Sequence, residues 1–333
     1  MSQPKGSVPV ALALLGNIVV TIIKAIVAAF SGSSAMFSEA VHSFADTLNQ
    51  SLLLIGVWRS RKKPEGEFNY GYGSERFFWA VISACGIFFV GAGITIWRGL
   101  HALLYPESVA IDFYAFLVLF VSFVIEFWTF RVATRELVRA YPDLSWWDRL
   151  DRADPSTLAV CLEDGIAVIG VLIASIAIAF SYVTQNTMWD AAGSILIGIL
   201  LAVAAVILIM KNRVYLIGRA IPEWEKEAIL EILKKEPSIE RVIDFKSTVI
   251  GIGEHRIKCE VEFNGSSLLD EQYQQEGLRS QFDEIRNDYE EFKKFCVEYA
   301  DRIPRLMGKK IDEIEEKIRE AYPSIRHIDI EIN

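Results

Sequence analysis

The apolar residues of this chain are strongly segregated, and that segregation limits what it can fold into. Residues 8–216 form a succession of apolar runs, whereas residues 219–333 are dense in Glu, Lys, Asp and Arg. A soluble protein built around one core does not divide its composition in this way. A membrane domain over residues 1–218 followed by a soluble domain over residues 219–333 is therefore expected. A hydrocarbon layer about 30 Å thick takes roughly 20 mostly apolar helical residues. Six segments meet that demand: 8–30, 34–58, 77–104, 113–138, 157–183 and 189–216. The second and fifth are the least purely apolar, and both carry acids near their middles.

The connecting segments orient the spans. Arg59, Arg61, Lys62, Lys63 and Arg76 crowd the second connection, and Arg135, Arg139, Arg149 and Arg152 surround the fourth. Lys211 and Arg213 end the sixth span, and Arg219 follows it. The short connections at 31–34, 105–112 and 185–187 carry neither Lys nor Arg. Excess positive charge stays on the cytoplasmic side, so both termini are expected there, in agreement with an even number of spans. The first run is long enough to cross and has no small-residue cleavage site after it, so a retained span is expected rather than a signal peptide. With no Arg-rich presequence before it, a prokaryotic cytoplasmic membrane is the expected location, with an organelle membrane as the alternative.

The formal charge is −9, carried mainly by the tail, and an acidic tail argues against nucleic-acid binding. Cys85, Cys161, Cys259 and Cys296 show no CxxC spacing, so neither a disulfide framework nor a zinc finger is indicated. In the tail, 222–235 has helical periodicity, 241–250 and 254–263 read as a hairpin around Gly251 and Gly253, 309–321 is a charged amphipathic helix, and IRHIDIEI at 325–332 alternates like a strand. That order predicts a small α+β domain with helices on one sheet face. The acidic stretch 268–307 is expected to be a helical insertion.

Acids within the spans are functional candidates, because a charge at the bilayer centre costs about 2.5–3.5 kcal/mol. The second span holds Glu39, His42 and Asp46 in SEAVHSFADTLNQ. His42 and Asp46 are four apart and share a helix face, which supplies half of a divalent-metal site. The fifth span holds Glu163 and Asp164 in AVCLEDGIAVIG, about 100° apart around the helix, so one ion is not expected to meet both head-on. Lys24 and Arg98 are expected to snorkel or to pair with acids, and Asn17 and Asn49 to hydrogen-bond across helices. In the tail, Glu254, His255, Cys259 and His327 are the residues available for a second metal site, although Cys259 also suits a hydrophobic core.

The run SGSSAMFSEAVHSFADTLNQ, the GYGSER before the third span, the acidic motif of the fifth and WDAAGS opening the sixth resemble the cation diffusion facilitator family. LEDGIAVIGV, the inserted tail segment and IRHIDIEI resemble its zinc transporter 9 subgroup in particular. The resemblance implies a homodimer of six-span protomers with a ferredoxin-like cytoplasmic domain, exchanging metal for protons by alternating access. It also implies a transport site from two positions on the second span and two on the fifth, here His42 with Asp46 and Val160 with Asp164. Valine cannot ligate. Zinc favours four tetrahedral ligands, so Glu163, a water or Asn49 is left to complete the shell. One imidazole with carboxylates also suits Mn²⁺, Fe²⁺ or Co²⁺, and Cd²⁺ belongs among the candidates.

The expected function is thus export of a divalent transition metal, zinc first, by proton antiport, with no organic cofactor. Ligands shed protons to bind metal, so the two compete for the site. The alternatives are a Mn²⁺-, Fe²⁺- or Co²⁺-selective exporter, a channel, or a membrane metal sensor that binds without transporting. An enzyme is not expected: Glu163 and Asp164 have no nucleophile partner, and GYGSER is too short to cradle phosphate.

Overall fold

A computed structural model describes residues 7–106, 113–140, 142–152, 155–265, 267 and 278–333. The chain divides into two compact units, Met1–Leu216 and Ile217–Asn333.

The first unit is helical: α1 (Ser7–Ser31), α2 (Ser34–Ser60), α3 (Glu75–Leu104), α4 (Phe113–Ala140), the short α5 (Trp146–Arg152), α6 (Pro155–Thr184) and α7 (Met188–Ile217). Among the described residues, four helices, α3, α4, α6 and α7, are long and apolar enough to cross a membrane. The polar face of α2, with Glu39, His42, Asp46 and Asn49, lowers its hydropathy, and the described apolar part of α1 is Gly16–Ser31. Large residues such as Phe30, Phe89, Phe120 and Trp128 project outward, while Ala35, Ala40, Ala45, Ala174, Ala177 and Ala205 fill the interior. Small residues inside let helix backbones approach closely where no hydrophobic effect drives helix against helix. Gly198 illustrates this on α7: an added Cβ would stand 2.6 Å from Ile96 Cγ1 and 3.1 Å from its backbone nitrogen. A π-helical turn, Ile87–Ala92, interrupts α3, and its Gly91 packs against Ala45 of α2, next to Asp46. Such turns shift the register of every side chain beyond them.

The start of α2 is fixed by the start of α7. Ser33 caps α2, its hydroxyl accepting from Met36 N at 3.0 Å. Asp190 then accepts from Ser33 Oγ and Ser34 N, both at 2.5 Å, and from Ala35 N at 3.3 Å. A carboxylate at a helix N-terminus answers both the orphan N–H groups and the helix dipole.

In the second unit, α8 (Glu223–Lys235) precedes β1 (Ile239–Gly251) and β2 (Glu254–Phe263), which pair antiparallel across a turn where Gly253 holds φ at 68°. After α9 (Leu278–Ile285) and α10 (Tyr289–Ala321), β3 (Ile325–Ile332) joins β2 in parallel, giving the order β1-β2-β3. Alternate residues of β2, Ile257, Cys259 and Val261, are buried against Ile229 and Leu233 of α8 and Ile314 and Ile318 of α10. The opposite face carries the ion pairs Arg256–Asp329 (2.9 Å) and Lys258–Glu331 (2.7 Å). Helix on one face and charge on the other follow from strand alternation.

Of the expected helical insertion at 268–307, residues 268–277 lie outside the described residues, and 278–285 and 289–307 are helical, in α9 and α10. α10 is one helix of 33 residues that begins at Tyr289 and continues through Pro304 into the stretch expected to start at 309. Asp288 caps it, accepting from Glu290 N at 2.8 Å and Glu291 N at 3.3 Å. The helix α5 was also unexpected: its seven residues, held by Ser145 Oγ donating to Asp148 at 2.6 Å, lie within the charged connection after α4.

Candidate metal site within the helical unit

His42 and Asp46 stand one turn apart on α2, Nε2 3.4 Å from Oδ2. His42 is buried, and neither of its ring nitrogens has a hydrogen-bond partner among the described residues. An imidazole left this way inside protein is unusual, since burial without a partner is costly.

On α6 the two acids behave differently. Both oxygens of Glu163 accept from Asn49 Nδ2 at 2.6 Å, and Asn49 Oδ1 in turn accepts from Ser83 Oγ on α3. Glu163 is thereby tied to α2 one turn beyond Asp46, and Asn49 has the cross-helix role expected of it. Asp164 is partly exposed, close to Thr129 of α4, and interacts electrostatically with Asp46 and Glu126. Asp46 and Glu163 interact in the same way. Val160 is exposed on α6, contributing no ligand atom. The four candidates His42, Asp46, Glu163 and Asp164 therefore occupy one region without closing on a point. Among the described residues, no three His, Cys, Asp or Glu side chains are gathered closely enough to hold a metal ion.

One turn from His42 lies a charge cluster that was only half visible in the sequence. Lys24 of α1 is fully buried and donates to Glu39 Oε2 on α2 at 3.1 Å and to Glu126 Oε1 on α4 at 2.8 Å. The acid partner expected for Lys24 is thus present twice. Glu126, in FVIEFW, was missed because a single acid in an apolar stretch carries no sign of a partner in another helix. Arg98 lies over the Phe37 ring at 6.0 Å and close enough to Asp190 to interact with it.

The tail residues do not assemble a second site among the described residues. Cys259 is in the core, and burial pushes its thiol up to about 12, far from a metal-binding thiolate. His255 pairs through Nδ1 with Glu225 at 3.1 Å, and Glu225 also accepts from Ser324 Oγ at 2.6 Å.

The family model described as the cation efflux transmembrane domain matches residues 10–217. The human protein named proton-coupled zinc antiporter SLC30A9, mitochondrial, is 33% identical over 308 residues, covering 91% of this chain and 54% of the relative. Metal tolerance protein C4 of Arabidopsis thaliana is 35% identical over 309 residues, covering 90% of this chain and 68% of the relative. A shorter match, 32% identical over 87 residues, is to the magnetosome protein MamM of Paramagnetospirillum magneticum, covering 26% of each chain. The chain spans about half the length of its zinc-antiporter relatives.

Proposed function

From the premise that this chain belongs to the cation efflux family, whose transmembrane-domain model it matches over residues 10–217, we propose that it is an integral membrane exporter of zinc driven by proton antiport. The observation that carries this reading is His42: a buried imidazole that makes no hydrogen bond among the described residues, its Nε2 3.4 Å from Asp46, which in turn interacts with Glu163 and Asp164 of α6. In the proposed cycle His42, Asp46 and Asp164 bind the ion from the cytoplasm. Glu163, released from Asn49, or a water supplies the remaining position that Val160 cannot. Binding draws α2 and α6 together around the ion, and protons arriving from the far side take its place. The names of the human and plant relatives, a zinc antiporter and a metal tolerance protein, support zinc as the cargo over Mn²⁺, Fe²⁺, Co²⁺ or Cd²⁺.

In this reading α1 and α2 join the four strongly apolar helices as six spans, with both termini cytoplasmic. The tail is a ferredoxin-like domain over residues 219–333 through which two copies pair as a homodimer. The similar proteins include mitochondrial, plant and bacterial forms, so the prokaryotic cytoplasmic membrane is not supported over others and the membrane is left unassigned.

The site is tested by equilibrium zinc binding to the full chain in nanodiscs. Asp46→Asn and Asp164→Asn should each weaken binding by roughly 100-fold, the scale of losing one carboxylate ligand worth about 2.7 kcal/mol. Glu163→Gln should weaken it less. Unchanged affinity in Asp164→Asn would remove Asp164 from the site.

A further inference from the structure

Lys24 is one of the largest side chains buried completely among the described residues. An ammonium has three donors and no acceptor, and in a low-dielectric interior it must be matched by negative charge. Its Nζ touches one oxygen of Glu39 and one of Glu126. The other oxygen of each, Glu39 Oε1 and Glu126 Oε2, is buried without a hydrogen-bond partner among the described residues. Glu39 Oε1 faces α6, where Gly170 makes room for it: a Cβ there would stand 2.7 Å away. Acceptors from α2 and α4, with α6 as a wall, thus form a pocket for a cation, and the cation they hold is carried on α1.

This pocket adjoins the candidate metal site. Glu39, His42 and Asp46 fall at i, i+3 and i+7, on one face of α2. The charge of Lys24 reaches His42 and Asp46, and that of Glu126 reaches Asp46 and Asp164. We propose that Lys24 is a tethered cation filling a second intramembrane cation pocket made by Glu39 and Glu126, and that it sets how tightly the neighbouring site holds a divalent ion. The inference rests on the reading of His42, Asp46 and Asp164 as that site. Two carboxylates and one ammonium leave a net charge of about −1 beside the ion, where two uncompensated carboxylates would leave about −2. A divalent ion feels the difference doubly. Ions that must leave the site need binding that is favourable but not too deep, and an ammonium in the adjoining pocket supplies that limit without occupying a ligand position. Lys24 is a positioning residue in this account, acting on the ion through its field.

Substitutions of opposite charge test it. In equilibrium zinc binding to the full chain, Lys24→Met, which keeps the apolar stem, should tighten Kd, and Glu126→Gln, which leaves the ammonium undercompensated, should weaken it. Each shift should be at least about tenfold, because at an effective dielectric near 20 a neighbouring unit charge acts on both charges of the ion. Lys24→Arg should stay near the wild-type value. If the cluster only clamps α1, α2 and α4 together, both substitutions loosen the same joint, and Kd moves in one direction or not at all; either result overturns the proposal. Should Lys24→Met fail to fold, Glu126→Gln decides alone: an unchanged or tighter Kd refutes it. Zinc flux is measured separately in vesicles, so loss of the transport reading would show as absent wild-type flux while the Kd shifts still judge Lys24.

Discussion

Asp190 commits both carboxylate oxygens to the first turn of α2, and that single side chain fixes where the helix bearing the candidate site begins. Removing it leaves Ser34 N and Ala35 N buried without their acceptor. Asp190→Ala should therefore cost about 1–3 kcal/mol, read as a lower thermal midpoint of the detergent-solubilised chain; an unchanged midpoint would mean that Ser33 caps α2 unaided. At this scale the sequence was informative where chemistry repeats at a helical interval. His42 and Asp46 were legible because four residues separate them, one turn of a helix. Lys24 was legible as a charge needing an acid, but its partners were not. Glu39 is 15 residues away and Glu126 is 102, and only packing brings them to one ammonium. Glu163 was read as a possible ligand, whereas here Asn49 holds both its oxygens.

Among elements, Glu236 follows α8 and joins it to α10 through Lys310 at 3.2 Å and Lys317 at 2.8 Å. Burial opposes its ionisation, but hydrogen bonds from Lys317 and Lys310 outweigh that and hold its carboxyl below the usual 4.5. A folded-state value below the unfolded one means that the contribution to stability is present above pH 4.5 and is lost as the pH falls through the folded-state value. Glu236→Gln should therefore lower stability at neutral pH and flatten its acid dependence below that point, as followed by thermal unfolding of the full chain; parallel acid profiles in the two proteins would contradict this. Helix ends within the apolar unit and the strands of the tail lay close to where periodicity put them, since both patterns are written locally. The start of α10 was not, because Pro304 and Gly308 look like breaks. An exposed helix tolerates a proline when capping, here by Asp288, and the packing of Ile314 and Ile318 sustain it on either side.

For the molecule as a whole, the division into a helical unit and a charged sheet unit was the most legible property, because it is a property of composition. What composition could not convey is that the candidate ligands lie near one another yet stand open, with Glu163 on Asn49 and the charge of Lys24 nearby. The account requires metal and protons to move in opposite directions. The direct measurement is zinc flux in proteoliposomes holding the full chain and an internal pH dye. Zinc entering the vesicles should drive protons out, both movements should disappear in Asp164→Ala, and an imposed pH gradient of the right sign should accelerate zinc. Zinc movement that leaves internal pH unchanged, or that survives intact in Asp164→Ala, would contradict the account.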